Sequence, residues 1–214
     1  MFGTWLSEIV WNEGLPYGDF GNVFGFGTLS TGGGFSVLYD EPSYQQGTIH
    51  GGKQRAVPDI AYNAAVEHGV LTYLNIPGIP AGMYVFGGTS AGSPQWAAIL
   101  AIANQRAGGR LGFLNSAIYQ IGKVNKAYPA TFHDIVDGTN SSLQFDSAGN
   151  PVDITGFAAG VGWDATTGFG SPIDTSLVDN LIRYVSPGDG AAVVATTKPK
   201  PHPKPIVPGA MNPH

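Results

Sequence analysis

Cysteine is absent from the 214 residues. That excludes disulfides, cysteine-bound zinc and thiol catalysis together, and it leaves the compartment open. Charge is scarce too: 10 basic and 15 acidic residues make up 12 % of the chain, about half the usual ~25 %. With a net charge of −5, the chain is not a polybasic nucleic-acid binder. No apolar run approaches the ~18 residues a membrane-spanning helix needs. Met1 is not followed by a basic stretch and an apolar core, so no signal peptide is expected. The chain is then expected either to stay inside the cell or to have its true start upstream of Met1. What the sequence does hold is glycine, 32 residues of 214, about twice the usual ~7 %. Hydrophobic residues at 43 % and aromatics at 11 % exclude disorder throughout. So much glycine with so little charge excludes a coiled coil or helical bundle. A loop-rich globular domain with tight turns and close backbone contacts remains.

The last 28 residues separate from the rest. Residues 187–214 hold seven of the sixteen prolines, and Lys198-Pro199-Lys200-Pro201-His202-Pro203-Lys204-Pro205 alternates proline with basic residues. This pattern predicts a polyproline-II spacer with nothing to pack; a linker and a tail that binds a wall or another anionic surface both fit. Residues 1–186 form the domain proper, with 7 basic and 14 acidic residues. Its pattern is mixed α and β. A glycine-rich loop covers 21–34, and short strands are predicted at 57–61, 71–74 and 83–86. A helix over 95–106, apolar and alanine-rich, is predicted to be buried on nearly all sides, with Gly108-Gly109 as its stop. Further helices are predicted at 113–121 and 174–185. The last has Asp174 as N-cap and Leu177, Val178, Leu181, Ile182 and Val185 as its apolar stripe.

The strongest chemical feature is Gly88-Thr89-Ser90-Ala91-Gly92-Ser93-Pro94. A strand enters, glycine permits a sharp turn, and Ser90 stands where a helix begins. Pro94 fits an early helical position. Free N–H groups and the positive end of the helix would stabilise developing negative charge beside an attacking hydroxyl. The small residues Ala91 and Gly92 would let a substrate backbone approach. A plain N-cap serine fits the same residues.

Gly-Thr-Ser-x-x-x-Pro ahead of an alanine-rich helix resembles the serine segment of the subtilisin-like superfamily, whose subtilases pair the serine with His and Asp and whose sedolisins pair it with Glu and Asp. Four further segments resemble sedolisins, the serine-carboxyl peptidases. They are Glu8-Ile9-Val10-Trp11-Asn12; Thr31-Gly32-Gly33-Gly34-Phe35-Ser36; Arg55-Ala56-Val57-Pro58-Asp59-Ile60; and Phe132-His133-Asp134-Ile135 taken with Gly160-Val161-Gly162-Trp163-Asp164. Gly112-Phe113-Leu114-Asn115 and Thr166-Thr167-Gly168-Phe169-Gly170-Ser171-Pro172 add to them, in the family's order over about residues 5–185.

The resemblance implies an α/β fold, a subtilisin-like parallel-sheet sandwich with helices on both faces, present as its C-terminal portion only. It implies a secreted, extracellular serine endopeptidase acting on peptide or protein substrates in acid, with Ser90 as nucleophile. It also implies one Ca2+ held by the carboxylates of Asp134 and Asp164 and the backbone carbonyls of Ile135, Gly160 and Gly162. That donor set suits a hard cation, which takes six to eight oxygens. Alternation in Gly160-x-Gly162-x-Asp164 would turn every second group to one side of an extended loop. Two turn aspartates, each capping its own loop, fit the same spacing.

The family's general base is the Glu of a Glu-x-x-x-Asp helix, and this chain has no such spacing: Glu8 is followed four residues on by Asn12, Glu13 by Tyr17, Glu41 by Gln45 and Glu67 by Leu71. In the family these carboxylates precede the Glu8 segment, so a missing N-terminal half is the expected partner and the chain alone is expected to be inactive. Nor is there a subtilase His-Gly-Thr-His among His50, His68, His133, His202 and His214. His50 and His68 are expected on loops or the surface, and His133 beside a ligand. A calcium-stabilised peptide-binding or adhesion domain derived from a peptidase, a subtilase fragment and a gene fragment that never exists alone remain alternatives. Scarce charge suits acid, because few basic groups means little positive charge gained there.

Overall fold

A computed structural model describes residues 5–13, 28–49 and 51–185. The predicted tail at 187–214, His50, His202, His214 and the 21–27 part of the glycine-rich loop lie outside them. The described elements are β1 (Asn12–Glu13), β2 (Leu29–Ser30), β3 (Gly34–Asp40), β4 (Gln54–Val57), β5 (Val70–Leu74), β6 (Gly82–Phe86), α1 (Gly92–Arg106), α2 (Asn115–Gly122), α3 (Tyr128–Thr131), β7 (Phe132–His133), β8 (Ser142–Phe145), β9 (Pro151–Ile154), β10 (Ser171–Pro172) and α4 (Asp174–Tyr184).

Every strand pair among the described residues is antiparallel and two-stranded: β1 with β2, β3 with β4, β5 with β6, β7 with β10, β8 with β9. The expected mixture of α and β is present, but the expected parallel sheet is not formed within these residues. A parallel pair needs a crossover of a dozen or more residues, usually a helix. Here β3–β4, β5–β6 and β8–β9 pair with their next strand in sequence, and the long α1 leads into further helices. The helices gather around α4, which touches α1, α2 and α3.

The strand predicted at 57–61 lies earlier, at β4, because Pro58 has no N–H to continue a ladder. Strands predicted at 71–74 and 83–86 are β5 and β6. In that hairpin Leu71 stands opposite Val85 and Tyr73 opposite Met83, and these four side chains share one exposed face.

Helix α1 ends as the sequence predicts. Gly108, with φ +71°, sends its N–H to the Gln105 carbonyl, and Gly109 sends its own to Asn104, which closes a Schellman cap. Burial on nearly all sides is corrected. Trp96 and Ala103 are buried, but Ala97, Ala98, Ala101 and Ile102 are exposed, because the described neighbours cover only the face turned toward α4. Asp174 is likewise corrected from N-cap to first helical residue. Ile173 holds the cap position in extended backbone with no side-chain cap bond, and its N–H is committed to the Thr131 carbonyl at 2.8 Å.

The apolar stripe of α4 behaves as predicted, with Leu177, Val178 and Leu181 buried. Leu177 and Leu181 join Trp96, Tyr119, Ile121, Phe132 and Phe169 in the core. Phe169 is the hub: its ring lies 5.1 Å from Tyr119 and 5.7 Å from Tyr128, both edge-on, and 6.2 Å from Phe132, separations at which aromatic pairs attract. A buried polar network flanks this core. Gln45, fully buried, donates Nε2–H to the Ala56 carbonyl and the Tyr119 hydroxyl and accepts Ala56 N–H. Asp59 receives Arg55 and Asn115 on one oxygen.

Candidate active site and ion loop

Ser90 lies in a single 3-10 turn, Thr89–Ala91, between β6 and α1. Gly88 makes the turn possible, with φ +83°, a region costly for residues carrying a Cβ. Its N–H is held by the Ala64 carbonyl at 2.7 Å. Pro94 is the third residue of α1, where its missing N–H leaves no intrahelical partner unmet.

Two expectations at this turn change. The N–H groups of Ala91 and Gly92 bond back to the carbonyls of Gly88 and Thr89, so the turn consumes donors that a bare helix start would leave free. Gly92 is buried, and a Cβ there would stand 3.0 Å from Tyr62 Cβ. Its smallness therefore serves packing against Tyr62. Ser90 itself is exposed, and its hydroxyl has no hydrogen-bond partner among the described residues.

Glu8 and Glu13, upstream of the serine, are engaged elsewhere. Glu8 accepts the Ser171 hydroxyl, and Glu13 accepts the N–H groups of Val66 and Glu67 at 2.7 and 3.0 Å. His68 is exposed beside Glu67, as expected of a surface residue. His133 stacks on Trp5 with ring centroids 4.2 Å apart. A cleft of ≈ 810 Å³ opens beside the serine turn, with Thr89, Gly92 and Ser93 on one side and Glu8, Trp11 and Thr167 among the residues facing them.

Asp134, Gly160, Gly162 and Asp164 are brought together. Gly162 N–H donates to both oxygens of Asp134, at 2.9 and 3.2 Å, and Gly160 N–H donates to Asp164 Oδ2 at 3.2 Å. What Gly160 and Gly162 turn toward the carboxylates is their N–H groups, each to a different aspartate, and the loop bends between them, since Gly162 has φ +82°. Ile135 follows Asp134 and is buried. Asp164 is buried as well. It accepts Thr166 N–H and hydroxyl at 2.7 and 2.5 Å and Thr167 N–H and hydroxyl at 2.8 and 3.0 Å. Adding Gly160 gives five donors on a carboxylate with about four lone-pair sites. Burial, then hydrogen bonding to Asp134 and the charges of Asp134 and Asp164, raise the pKa of Tyr128 above the usual phenol value.

The residue types suit a hard cation: two carboxylates, one from each of two neighbouring loops, with peptide oxygens in the same loops and no sulfur or imidazole required. Asp134, lightly used, is ready for such a role. Asp164 would have to release a donor, and the Gly160 N–H, its longest bond, is the one to give way. The reading of Asp164 as a turn aspartate capping its own loop is present at the same time. Thr166 and Thr167, which saturate it, were missed from sequence. Their signal is the Asp-x-Thr-Thr order, in which a carboxylate bonds N–H groups two and three residues on.

No protein-family model matches the chain. Kumamolisin from Bacillus sp. (strain MN-32) is 35 % identical over 186 residues, covering 84 % of this chain and 28 % of kumamolisin. Sedolisin from Pseudomonas sp. (strain 101) is 31 % identical over 181 residues, covering 85 % of this chain and 26 % of the relative. The chain thus spans about a quarter of the length of these relatives. Among solved structures, Pseudomonas sedolisin, a serine-carboxyl proteinase complexed with two molecules of pseudo-iodotyrostatin, superposes with a TM-score of 0.63 at 30 % identity, covering 85 % of this chain and 41 % of that one.

Proposed function

The chain is homologous to the sedolisins over most of its length, and from that premise we propose that it is the serine- and ion-bearing part of an extracellular serine endopeptidase that cleaves peptide bonds in acid. The observation that carries the reading is the serine turn: an exposed Ser90 hydroxyl, without a hydrogen-bond partner among the described residues, on a glycine-enabled 3-10 turn at the head of a helix, next to Thr89 on the wall of a cleft.

In this mechanism Ser90 Oγ bonds to the substrate carbonyl carbon while a carboxylate base takes the hydroxyl proton. The tetrahedral intermediate collapses, the C–N bond breaks, and the amine leaves with that proton. Water then attacks the ester and restores the serine. A carboxylate base works where an imidazole would already be protonated. A hydroxyl without a base is a weak nucleophile, and the described residues give Ser90 none. In this reading the base is a carboxylate from outside the described residues, supplied by a partner segment of the working enzyme. A calcium ion held by Asp134, Asp164 and the carbonyls of Ile135, Gly160 and Gly162 would fix the 160–164 loop by adding positive charge between the half-buried Asp134 and the buried Asp164. Because the described residues give Ser90 no base, a peptide-binding domain that has lost catalysis is the second reading.

The test is peptide hydrolysis near pH 4 by the 214 residues alone and by the same chain complemented with the remaining part of kumamolisin's catalytic domain. We expect turnover only in the complemented sample and none after Ser90→Ala. Hydrolysis by the isolated chain, or hydrolysis that survives Ser90→Ala, would overturn the assignment. Peptide binding without cleavage in the complemented sample would favour the second reading.

A further inference from the structure

Residues 58–64 belong to no helix or strand, yet they are hydrogen-bonded to both halves of the candidate site. On one side they meet the loop that carries the ion residues. The Trp163 indole N–H donates to the Pro58 carbonyl at 2.9 Å. Phe169 N–H donates to the Asp59 carbonyl at 3.0 Å, and Ala61 N–H donates to Gly170 O at 2.9 Å. On the other side they meet the serine turn and its helix. The Trp96 indole N–H donates to the Ala61 carbonyl at 3.2 Å, Gly88 N–H to the Ala64 carbonyl at 2.7 Å, and the Tyr62 Cβ sits where Gly92 leaves room. Ala61 serves both sides, its N–H given to the loop and its carbonyl to the helix.

The contact leaves little slack. A Cβ on Gly168 would stand 2.3 Å from the Asp59 carbonyl carbon, so loop and segment are in direct backbone contact. The segment is anchored in turn, because Arg55 and Asn115 both bond the Asp59 carboxylate. A short stretch pinned at one end to α2 and on both flanks to different loops cannot move at one flank without disturbing the other.

We propose that residues 58–64 are a shared strut through which the 160–170 loop positions the Ser90 turn, with Trp163 and Trp96 as positioning residues that clamp the strut from opposite sides. The catalytic consequence rests on the reading of Ser90 as nucleophile; the coupling itself does not.

The experiment is hydrogen exchange followed by mass spectrometry on the full 214-residue chain, in the parent and in Trp163→Phe and Trp96→Phe. Phenylalanine keeps an aromatic ring and removes the N–H. Each variant is read at the remote end. Trp163→Phe is expected to speed exchange at residues 86–92 about five-fold, the factor for one net hydrogen bond. Trp96→Phe is expected to do the same at residues 160–170, since coupling is reciprocal. The β8–β9 hairpin shares no hydrogen bond with the strut among the described residues and should not change. Remote segments that exchange as in the parent would sink the proposal. So would a uniform increase that includes the β8–β9 hairpin, which would show that the tryptophans only hold the fold. Either variant carries the test if the other fails to fold. Exchange needs no turnover, so a chain that never cleaves peptide still tests the strut, and intact coupling with an inert Ser90 would sink the peptidase reading alone.

Discussion

A Cβ built on Gly170 would stand 1.9 Å from the His133 carbonyl oxygen, and one on Gly33 would stand 1.7 Å from the Ala165 carbonyl oxygen. Gly170 is also held at φ +94°. Gly170→Ala therefore combines left-handed backbone with a backbone clash, and should cost about 3 kcal/mol of stability or prevent folding. Urea denaturation measures it, and a wild-type midpoint would show that the loop relaxes freely. Tyr119 gives a pH test. Burial first, then the charge of Asp59, raises its pKa above the usual phenol value of 10.0. A phenol raised in the folded state stabilises fully below the unfolded pKa and loses that contribution as pH rises past it. Stability should therefore fall above pH ~10, by up to about 1.4 kcal/mol per pH unit for this one proton. Tyr119→Phe should be less stable throughout, since Gln45 loses a partner, but flatter above pH 10. Denaturation curves from pH 8 to 11 check the slope, and an unchanged slope would remove Tyr119 from the linkage.

Between residues and fold stand two elements with different degrees of commitment. The 160–170 loop is dense with bonds, yet its own Asp164 and the neighbouring Asp134 accept glycine N–H groups that an incoming cation would displace. Calcium at 100 times its dissociation constant should add about 2.7 kcal/mol of stability, and Asp134→Asn should remove the gain while leaving the metal-free protein little changed. Calorimetry and thermal melts with and without chelator decide it; an equal melting temperature in both would argue for plain turn aspartates. The serine turn is an element of another sort. Its local chemistry, Gly-Thr-Ser ahead of Pro94, was legible as a turn into a helix because glycine and proline act through the nearest backbone bonds. That Ala91 and Gly92 spend their N–H groups inside the turn was not, because 3-10 and α starts differ by a shift of one acceptor.

At the scale of the whole molecule, apolar surface is unevenly distributed. Leu71, Tyr73, Met83 and Val85 line one face of the β5–β6 hairpin, and Ala97, Ala98, Ala101 and Ile102 line the uncovered side of α1. Exposed patches of this kind mark surfaces that other protein covers. The 214 residues alone should therefore bind a hydrophobic dye or associate in light scattering, and the complemented enzyme should do so less. A monodisperse monomer that binds no dye would contradict this. Leu177 and Leu181 were readable from the amino-acid sequence because a helical face repeats every 3.6 residues. The ordered run of Ser90, Asp134 and Asp164 segments was readable because each motif is local. Composition by itself determined a glycine-rich, thiol-free, weakly charged α and β chain. Only the tertiary structure decided that α1 is covered on one side, that Phe169 gathers Tyr119, Tyr128 and Phe132 around it, and that residues 58–64 are hydrogen-bonded both to the 160–170 loop and to the serine turn and its helix. Those facts depend on which groups meet between segments tens of residues apart, a matter of long-range packing that no local pattern encodes.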